Sequence, residues 1–317
     1  MARVLVTGAQ GCIGSWVVKQ LLERGDEVVI YDLDPNPAKL STIAPAAHVA
    51  KLKIVPGQIE DIATVKNLVK DDEITHIVHL AAVLMPYCQA RPVMGGLINV
   101  IGTLNVFEAA RDAGREVKIV YASSSAVWGP EHAYESKKLS EDDPLRPATH
   151  YGVFKQANEG NARAFYATNG ISSIGLRPWA VYGYLRDLGL TADPTLAMRA
   201  AVYQEPFQIR LSGFMDMQYV EDVAATFVAS LYAPVEGAHV FNLAGEVISM
   251  ENLIALIDKV QPGASRFLTN HGPQVPVAYQ MDDKQLRAHV PGIPSTSLEA
   301  GIRKTIEWFD REKQLNH

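Results

Sequence analysis

The chain is short of cysteine, of basic excess and of long apolar runs, and each shortage closes off a class of function. Cys12 and Cys88 are the only cysteines in 317 residues. They are too few for a disulfide framework and suit a reducing compartment. Formal net charge is −6, with both signs interspersed, so no basic face is expected for nucleic-acid phosphates. No apolar run in the sequence approaches the roughly 18 residues that span a bilayer. The N-terminus enters a strand-like run, Arg3-Val4-Leu5-Val6, with no signal-peptide pattern before it. The expected compartment is the cytoplasm, and neither membrane nor nucleic acid is an expected partner. No Gly-x-Ser-x-Gly elbow occurs, which argues against a hydrolase. No Cys/His cluster has metal-ligand spacing, so no metal is expected. His76 and His79 flank one apolar strand, three apart, and should point to opposite faces.

What remains is an ordinary globular composition, 48% hydrophobic and 20% charged, long enough for one large domain or two unequal ones. Up to about Arg177, short Val/Ile-rich runs alternate with helix-length segments. Strands are predicted at Val4–Val6, Val28–Tyr31, Lys53–Val55, Ile77–Leu80, Ile119–Ala122 and Ser173–Leu176. Helices are predicted at Ile13–Arg24, Ile62–Lys70, Val93–Asp112 and Tyr151–Thr168. This alternation implies an α/β fold, a doubly wound parallel sheet with helices on both faces. Past Arg177 the rhythm breaks. Gly183–Pro206 and Gly263–Pro294 read as irregular loops around a substrate. Glu221–Tyr232, Met250–Val260 and Ser297–Arg311 read as helices, with Ser249 and Ser295 or Thr296 as candidate caps. The expected division puts 1–178 in a Rossmann-type nucleotide-binding domain, with 216–247 returning to it. Residues 179–215 and 248–317 would form a smaller C-terminal substrate lobe over the crevice at the strand ends.

Thr7-Gly8-Ala9-Gln10-Gly11-Cys12-Ile13-Gly14 joins the first strand to the first helix. Gly8 permits the tight turn, Gly11 lets the backbone approach a pyrophosphate and Gly14 allows close packing; the phosphate would sit on the helix N-terminus. Cys12 and Ile13 belong to the same cofactor-binding loop, Cys12 as a small apolar filler. Asp32 ends the second strand, where a carboxylate accepts ribose hydroxyls and repels a 2′-phosphate. No Arg or Lys follows in Asp32-Leu33-Asp34-Pro35-Asn36, so NAD is favoured over NADP.

Tyr151 and Lys155 stand at i and i+4, on one helix face. A phenol is a poor base at its ordinary pKa of about 10. A neighbouring ammonium and a positive nicotinamide ring would favour the phenolate, letting Tyr151 exchange a proton with a substrate hydroxyl while hydride moves. Tyr-x-x-x-Lys alone is common spacing. Its company is Tyr121-Ala122-Ser123-Ser124-Ser125-Ala126-Val127-Trp128-Gly129, where a strand-tip hydroxyl can hold the substrate oxygen.

With these segments, the sequence resembles the extended short-chain dehydrogenase/reductases, the family of NAD-dependent sugar-nucleotide epimerases, dehydratases and related reductases. The likeness runs through His79–Ala82, Asn99–Thr103, Leu176-Arg177-Pro178, Tyr219–Ala224, Asn242–Gly245 and Gly301–Trp308. The resemblance implies Ser125 as catalytic serine, with Ser124 the candidate if the register slips by one. It implies Tyr151 as acid/base and Lys155 as the nicotinamide-ribose ligand. Asp32 would hold the adenosine ribose, Gln58 and Ile59 the adenine side, and Leu80, Ala81, Ala82 and Pro178 would line the cofactor. Asn99 would support Lys155 through water. Gln58 stands where the family usually has Asp. Leu84, Ser125, Trp179 and Ala180 are the candidate substrate residues, and Trp128 and Trp179 each fit a pocket wall or the core. The resemblance also implies a homodimer through Val93–Asp112 and Tyr151–Thr168.

The departures fall on substrate recognition. Sugar-nucleotide members carry an Asn after Arg-Pro, an Arg before the Asp-aromatic segment and a later Arg-Pro-Gly-Asp. Here the segments read Arg177-Pro178-Trp179-Ala180, Phe214-Met215-Asp216-Met217 and Pro276-Val277-Ala278-Tyr279. Such anion contacts are worth about 1.5–3 kcal/mol each. The expected substrate therefore lacks a nucleoside diphosphate: a sugar, sugar acid, polyol or other small hydroxy/keto compound. The competing possibility is that Arg186, Arg199 or Arg210 took over the phosphate. Ser125-Ala126-Val127 also lacks the Asp-Glu pair of the 4,6-dehydratases, which disfavours elimination. Three activities stay open: a dehydrogenase or reductase, an epimerase with tightly bound NAD, and a non-catalytic NAD sensor.

Overall fold

A computed structural model describes residues 2–136 and 138–315. Its centre is a seven-stranded sheet, all of whose pairings are parallel: β1 (Arg3–Thr7), β2 (Glu27–Asp32), β3 (Lys53–Pro56), β4 (His76–His79), β5 (Lys118–Ala122), β6 (Ser173–Arg177) and β10 (Ala238–Asn242), in the order β10-β6-β5-β4-β1-β2-β3. Each predicted strand falls within one residue of an observed one. The cause is visible in the core strands. Val4, Leu5 and Val6, like Ile77 and Val78, are fully buried, so both faces are covered and the strands read as continuous apolar runs. The strand order reverses between β1 and β4, and the strand C-termini there open the crevice in which ligands of open α/β sheets bind.

Helices Cys12–Arg24 and Val220–Tyr232 cover one face of the sheet, and Ile62–Asp71, Gly102–Asp112 and His150–Asn169 the other. The helical stretch from Pro92 to Asp112 is interrupted by a π turn at Leu97–Ile101. By length and composition this stretch, unlike the sequence reading of it, is long and apolar enough to cross a membrane; half of it is buried in the fold.

The second half is more regular than its composition suggested. β7 (Ala180–Tyr182), β9 (Phe214–Tyr219) and β11 (Glu246–Ser249) form a three-stranded sheet, and β8 (Phe207–Ile209) pairs with β12 (Leu268–Asn270). Asp193–Tyr203 is a helix inside the segment expected to be loop, as is Lys284–His289 further on. Pro194 misleads the reading: it sits in the first turn, where a missing N–H leaves no bond unmade. Ser249 caps its helix as expected, accepting from Asn252 N at 3.3 Å. The last helix is met by Ser297 Oγ, which accepts from Ala300 N at 3.4 Å, rather than by Ser295 or Thr296. Thr296 is held instead by the Asp222 carboxylate.

Candidate active site

The glycine loop fixes one wall. Gly8 has φ +68°, and a Cβ there would meet Ala81 N at 2.6 Å, so β1 turns tightly against the end of β4. A Cβ on Gly14 would meet Gly8 O at 2.4 Å, which seats the helix N-terminus directly on the turn. Ser15 N and Gly11 N donate within the loop, to Gly11 O and Gly8 O. Asp32 faces this loop from the end of β2. Its Oδ2 accepts from Gln10 N at 2.8 Å and its Oδ1 from Asp34 N at 3.2 Å.

The second wall comes from β5 and helix His150–Asn169. Ser123, Ser124 and Ser125 leave the strand in alternating directions, as extended backbone requires. Ser123 Oγ is buried on Glu159 Oε1 at 2.5 Å. Ser125 Oγ is buried on Arg177 O at 3.2 Å. Ser124, whose parity is that of Ala122, lines the cleft with Tyr151 and draws down the pKa of its phenol. Ser124 and Ser125 both line the cavity that reaches Tyr151, and Ser124 is the one that acts on its phenol.

Lys155 lies one turn beyond Tyr151, 4% exposed. Its ammonium donates to Ala122 O at 2.6 Å and sits 5.6 Å from the centre of the Tyr151 ring. Burial lowers its pKa to about 8. Burial also pushes the Tyr151 phenol above its ordinary value, opposed by the Ser124 hydrogen bond and the Arg186 charge. The expected draw from Lys155 is replaced by that of Arg186, because the lysine is turned to the strand-end carbonyl.

A cleft of about 300 Å³ runs from Gly8, Gly11, Cys12, Ile13 and Gly14 past Leu80, Ala82 and Pro178 to Tyr151 and Lys155. Most of the expected cofactor residues thus meet on one surface. A backbone with no Cβ at Gly11, free helix N–H groups and a carboxylate at the ribose end with no base beside it fit NAD. Ala81, Asp32, Gln58, Ile59 and Asn99 stand outside this surface. Ala81 N donates to Thr7 Oγ1. Gln58 is exposed after β3, its carbonyl accepting from Tyr31 OH, and Ile59 is buried beneath it. Asn99, in the π turn, uses its side chain on Val83 N and O and its carbonyl on Asn158 and Thr103. These bonds clamp the segment after β4.

A smaller cavity of about 110 Å³ continues from Tyr151 toward the second half. Leu84, Ser125 and Trp179 contribute to its wall as expected; Ala180, fully buried in β7, does not reach it. The Trp179 indole is fixed by donating to Ala278 O at 2.8 Å, and its amide by Gln218 Oε1 at 3.0 Å. Trp128 is core, fully buried 4.7 Å from the Arg177 guanidinium. His79 is core as well: Nδ1 meets Thr7 Oγ1 at 2.7 Å, Nε2 meets Thr103 Oγ1 at 3.0 Å, and burial lowers its pKa to about 3. Of the arginines weighed for phosphate, Arg210 is fixed on the buried Asp193 carboxylate at 2.6 Å. Arg199 lies by Glu205, Glu312 and Tyr203. Arg186 alone of these lines the cleft and the cavity. Sequence reasoning left it undecided because its place depends on how the segment after β7 folds.

Known proteins share this arrangement. A UDP-glucose 4-epimerase of Mycolicibacterium smegmatis is 29% identical over 98% of this chain and all of its own length. The UDP-glucose 4-epimerase of Thermus thermophilus, solved in complex with NAD, superposes with a TM-score of 0.81 at 27% identity, covering 97% of this chain and 98% of that one. A partial-consensus L-threonine 3-dehydrogenase gives a TM-score of 0.84 at 25% identity, covering 99% of each chain. The model of the NAD dependent epimerase/dehydratase family matches residues 4–244, and the chain, an NAD-dependent enzyme of the extended short-chain dehydrogenase/reductase type, belongs to that family.

Proposed function

We propose that the protein exchanges hydride between NAD and a hydroxyl-bearing or keto carbon of a small substrate such as a sugar, sugar acid or polyol. The observation that carries this reading is the placing of Ser124 and Tyr151 together at the junction of the dinucleotide cleft and a cavity of about 110 Å³. Pockets for larger ligands run to roughly 300–1,000 Å³, so the size favours a substrate without a nucleoside diphosphate. The anion-binding segments agree: Met215 is fully buried core, and so is Ala180.

NAD, when bound, supplies the hydride acceptor. The helix N-terminus beyond Gly11 would hold its pyrophosphate, Asp32 the adenosine ribose and Lys155 the nicotinamide ribose. Ser124 orients the substrate oxygen, and Tyr151 takes its proton in oxidation or returns it in reduction. The Tyr151 phenol is raised in the free protein, so it holds its proton until a nearby positive charge favours phenolate. Arg186 is the chain's own source of that charge.

An epimerase that retains its NAD is the second reading, favoured by full-length similarity to UDP-glucose 4-epimerases. Purified protein mixed with NAD and a panel of sugars, aldonates, polyols and UDP-glucose separates the two. Net NADH absorbance on a small substrate supports the first; isomerised UDP-sugar without NADH supports the second and overturns the first.

We further propose a homodimer. Val93, Met94, Leu97 and Ile101 are 76, 41, 40 and 41% exposed, and Val153 on the neighbouring helix is 46% exposed. An apolar stripe at helical spacing on a surface is the mark of a buried interface.

A further inference from the structure

The small cavity has one charge. Its walls are largely apolar, from Leu84, Met85, Pro86, Leu190, Val275 and Val277, with Ser124 and Tyr151 at the cofactor end. Among the described residues Arg186 is the only charged side chain lining it. Arg186 Nη2 donates to Thr191 Oγ1 at 3.0 Å, while Nε is buried with no hydrogen-bond partner. The neighbouring carboxylate does not neutralise it, because Asp187 pairs with Lys39 at 2.7 Å. A buried guanidinium N–H left unpaired carries its full desolvation penalty, and such groups are rare unless a ligand or ordered water completes them. The planar fork of Arg matches a carboxylate with two parallel hydrogen bonds.

Resting on the hydride-exchange reading above, we infer that the substrate is a small hydroxy acid whose carboxylate is bound by Arg186. Its reacting hydroxyl lies between Ser124 and Tyr151. Its carbon chain is short, because the apolar walls leave space for only a few carbons. The same guanidinium also edges the dinucleotide cleft, where a pyrophosphate would offer the alternative anion. That anion already has the helix N-terminus, whereas among the described residues the cavity has no other cation.

The test uses intact protein and matched pairs of probes, glycerate against glycerol and threonate against threitol, with NADH formation as readout. Wild type should favour the acid by about 10- to 150-fold in kcat/KM, the worth of charge-assisted hydrogen bonds. Arg186→Met should erase that preference, and Arg186→Lys should keep part of it. Calorimetry on Tyr151→Phe loaded with NAD reads threonate binding without turnover; adding Arg186→Met should abolish the binding while NAD affinity stays unchanged. Equal use of polyol and acid overturns the inference. So does a loss of NAD affinity in Arg186→Met with acid binding intact, which would assign the guanidinium to pyrophosphate. Failure of the hydride-exchange reading looks different: Tyr151→Phe would then retain full turnover on any active probe.

Discussion

The Ser124 hydroxyl draws down the pKa of the Tyr151 phenol, against the burial that raises it. One residue of register separates a hydroxyl in the cleft from one buried on Arg177 O at 3.2 Å. The pair therefore predicts an asymmetric mutant phenotype. Ser124→Ala should lower kcat about 10²- to 10³-fold, the range for losing one preorganised donor at the reacting oxygen, with little change in NAD affinity. Ser125→Ala should keep kcat within a few-fold and act on stability instead, by about 0.5–1.5 kcal/mol for one neutral hydrogen bond. Steady-state kinetics and denaturant unfolding of both variants check this. A larger kcat loss in Ser125→Ala would reverse the assignment.

Lys155 predicts a stability that depends on pH. Its folded pKa is about 8 against an ordinary 10.5. Below 8 it is charged in both states, and burial of the ammonium penalises the folded one. Between about 8 and 10.5 the unfolded chain holds a proton the folded chain has released, so this group's contribution to stability rises with pH across that window. Lys155→Met should therefore raise the melting temperature of the NAD-free protein at pH 7 while abolishing turnover. The stability gap to wild type should narrow as pH climbs from 8 to 10.5. Thermal unfolding at a series of pH values reads both effects. A gap that widens would contradict the buried, partly neutral lysine.

Much of this site is legible in the sequence, because the residues that carry it lie in contiguous motifs on strand ends and helix starts. Gly8, Gly11 and Gly14 announce a tight turn, and at Gly8 and Gly14 it leaves no room for a Cβ. Tyr151 and Lys155 announce a helix face. The serine register was recoverable from strand parity: Ala122 and Ser124 point one way, Ser123 and Ser125 the other. What the sequence hides is set by long-range packing. β7 and β11 are only three and four residues long, and β9 carries Met, Asp, Gln and Tyr in place of a Val/Ile run, so no periodicity marks them. Arg186 is one of several arginines until the fold turns it into a cavity and sends Arg210 to Asp193.

The exposed stripe on the Pro92–Asp112 stretch predicts an association that one charge should break. Leu97→Glu, alone or with Val153→Glu, places carboxylates in the middle of the apolar face, and an unpaired buried charge is strongly disfavoured. Sedimentation velocity should show wild type as a dimer and the double variant as a monomer. The variants' far-UV circular dichroism should be unchanged, since both side chains are exposed in the single chain. A wild-type monomer at micromolar concentration would remove the dimer proposal outright.

The buried pair behind the site supplies the sharpest stability test. Arg177 Nε and Nη2 donate to the two oxygens of Glu159, each at 2.8 Å, with side-chain exposures of 4% and 0%. Ser123 Oγ donates to the same carboxylate, and Arg177 Nη1 reaches Asn242 Oδ1 at 3.3 Å. The network joins β5, β6 and β10 to the helix that carries Tyr151 and Lys155. Glu159→Gln leaves a guanidinium buried without its counter-charge and should destabilise by about 3–5 kcal/mol. It should also cut kcat, because Lys155 lies one turn away on the same helix. Urea unfolding with an unchanged slope and a lowered midpoint would report the loss. A variant as stable as wild type would mean that the charge pair does not hold this wall of the cleft in place.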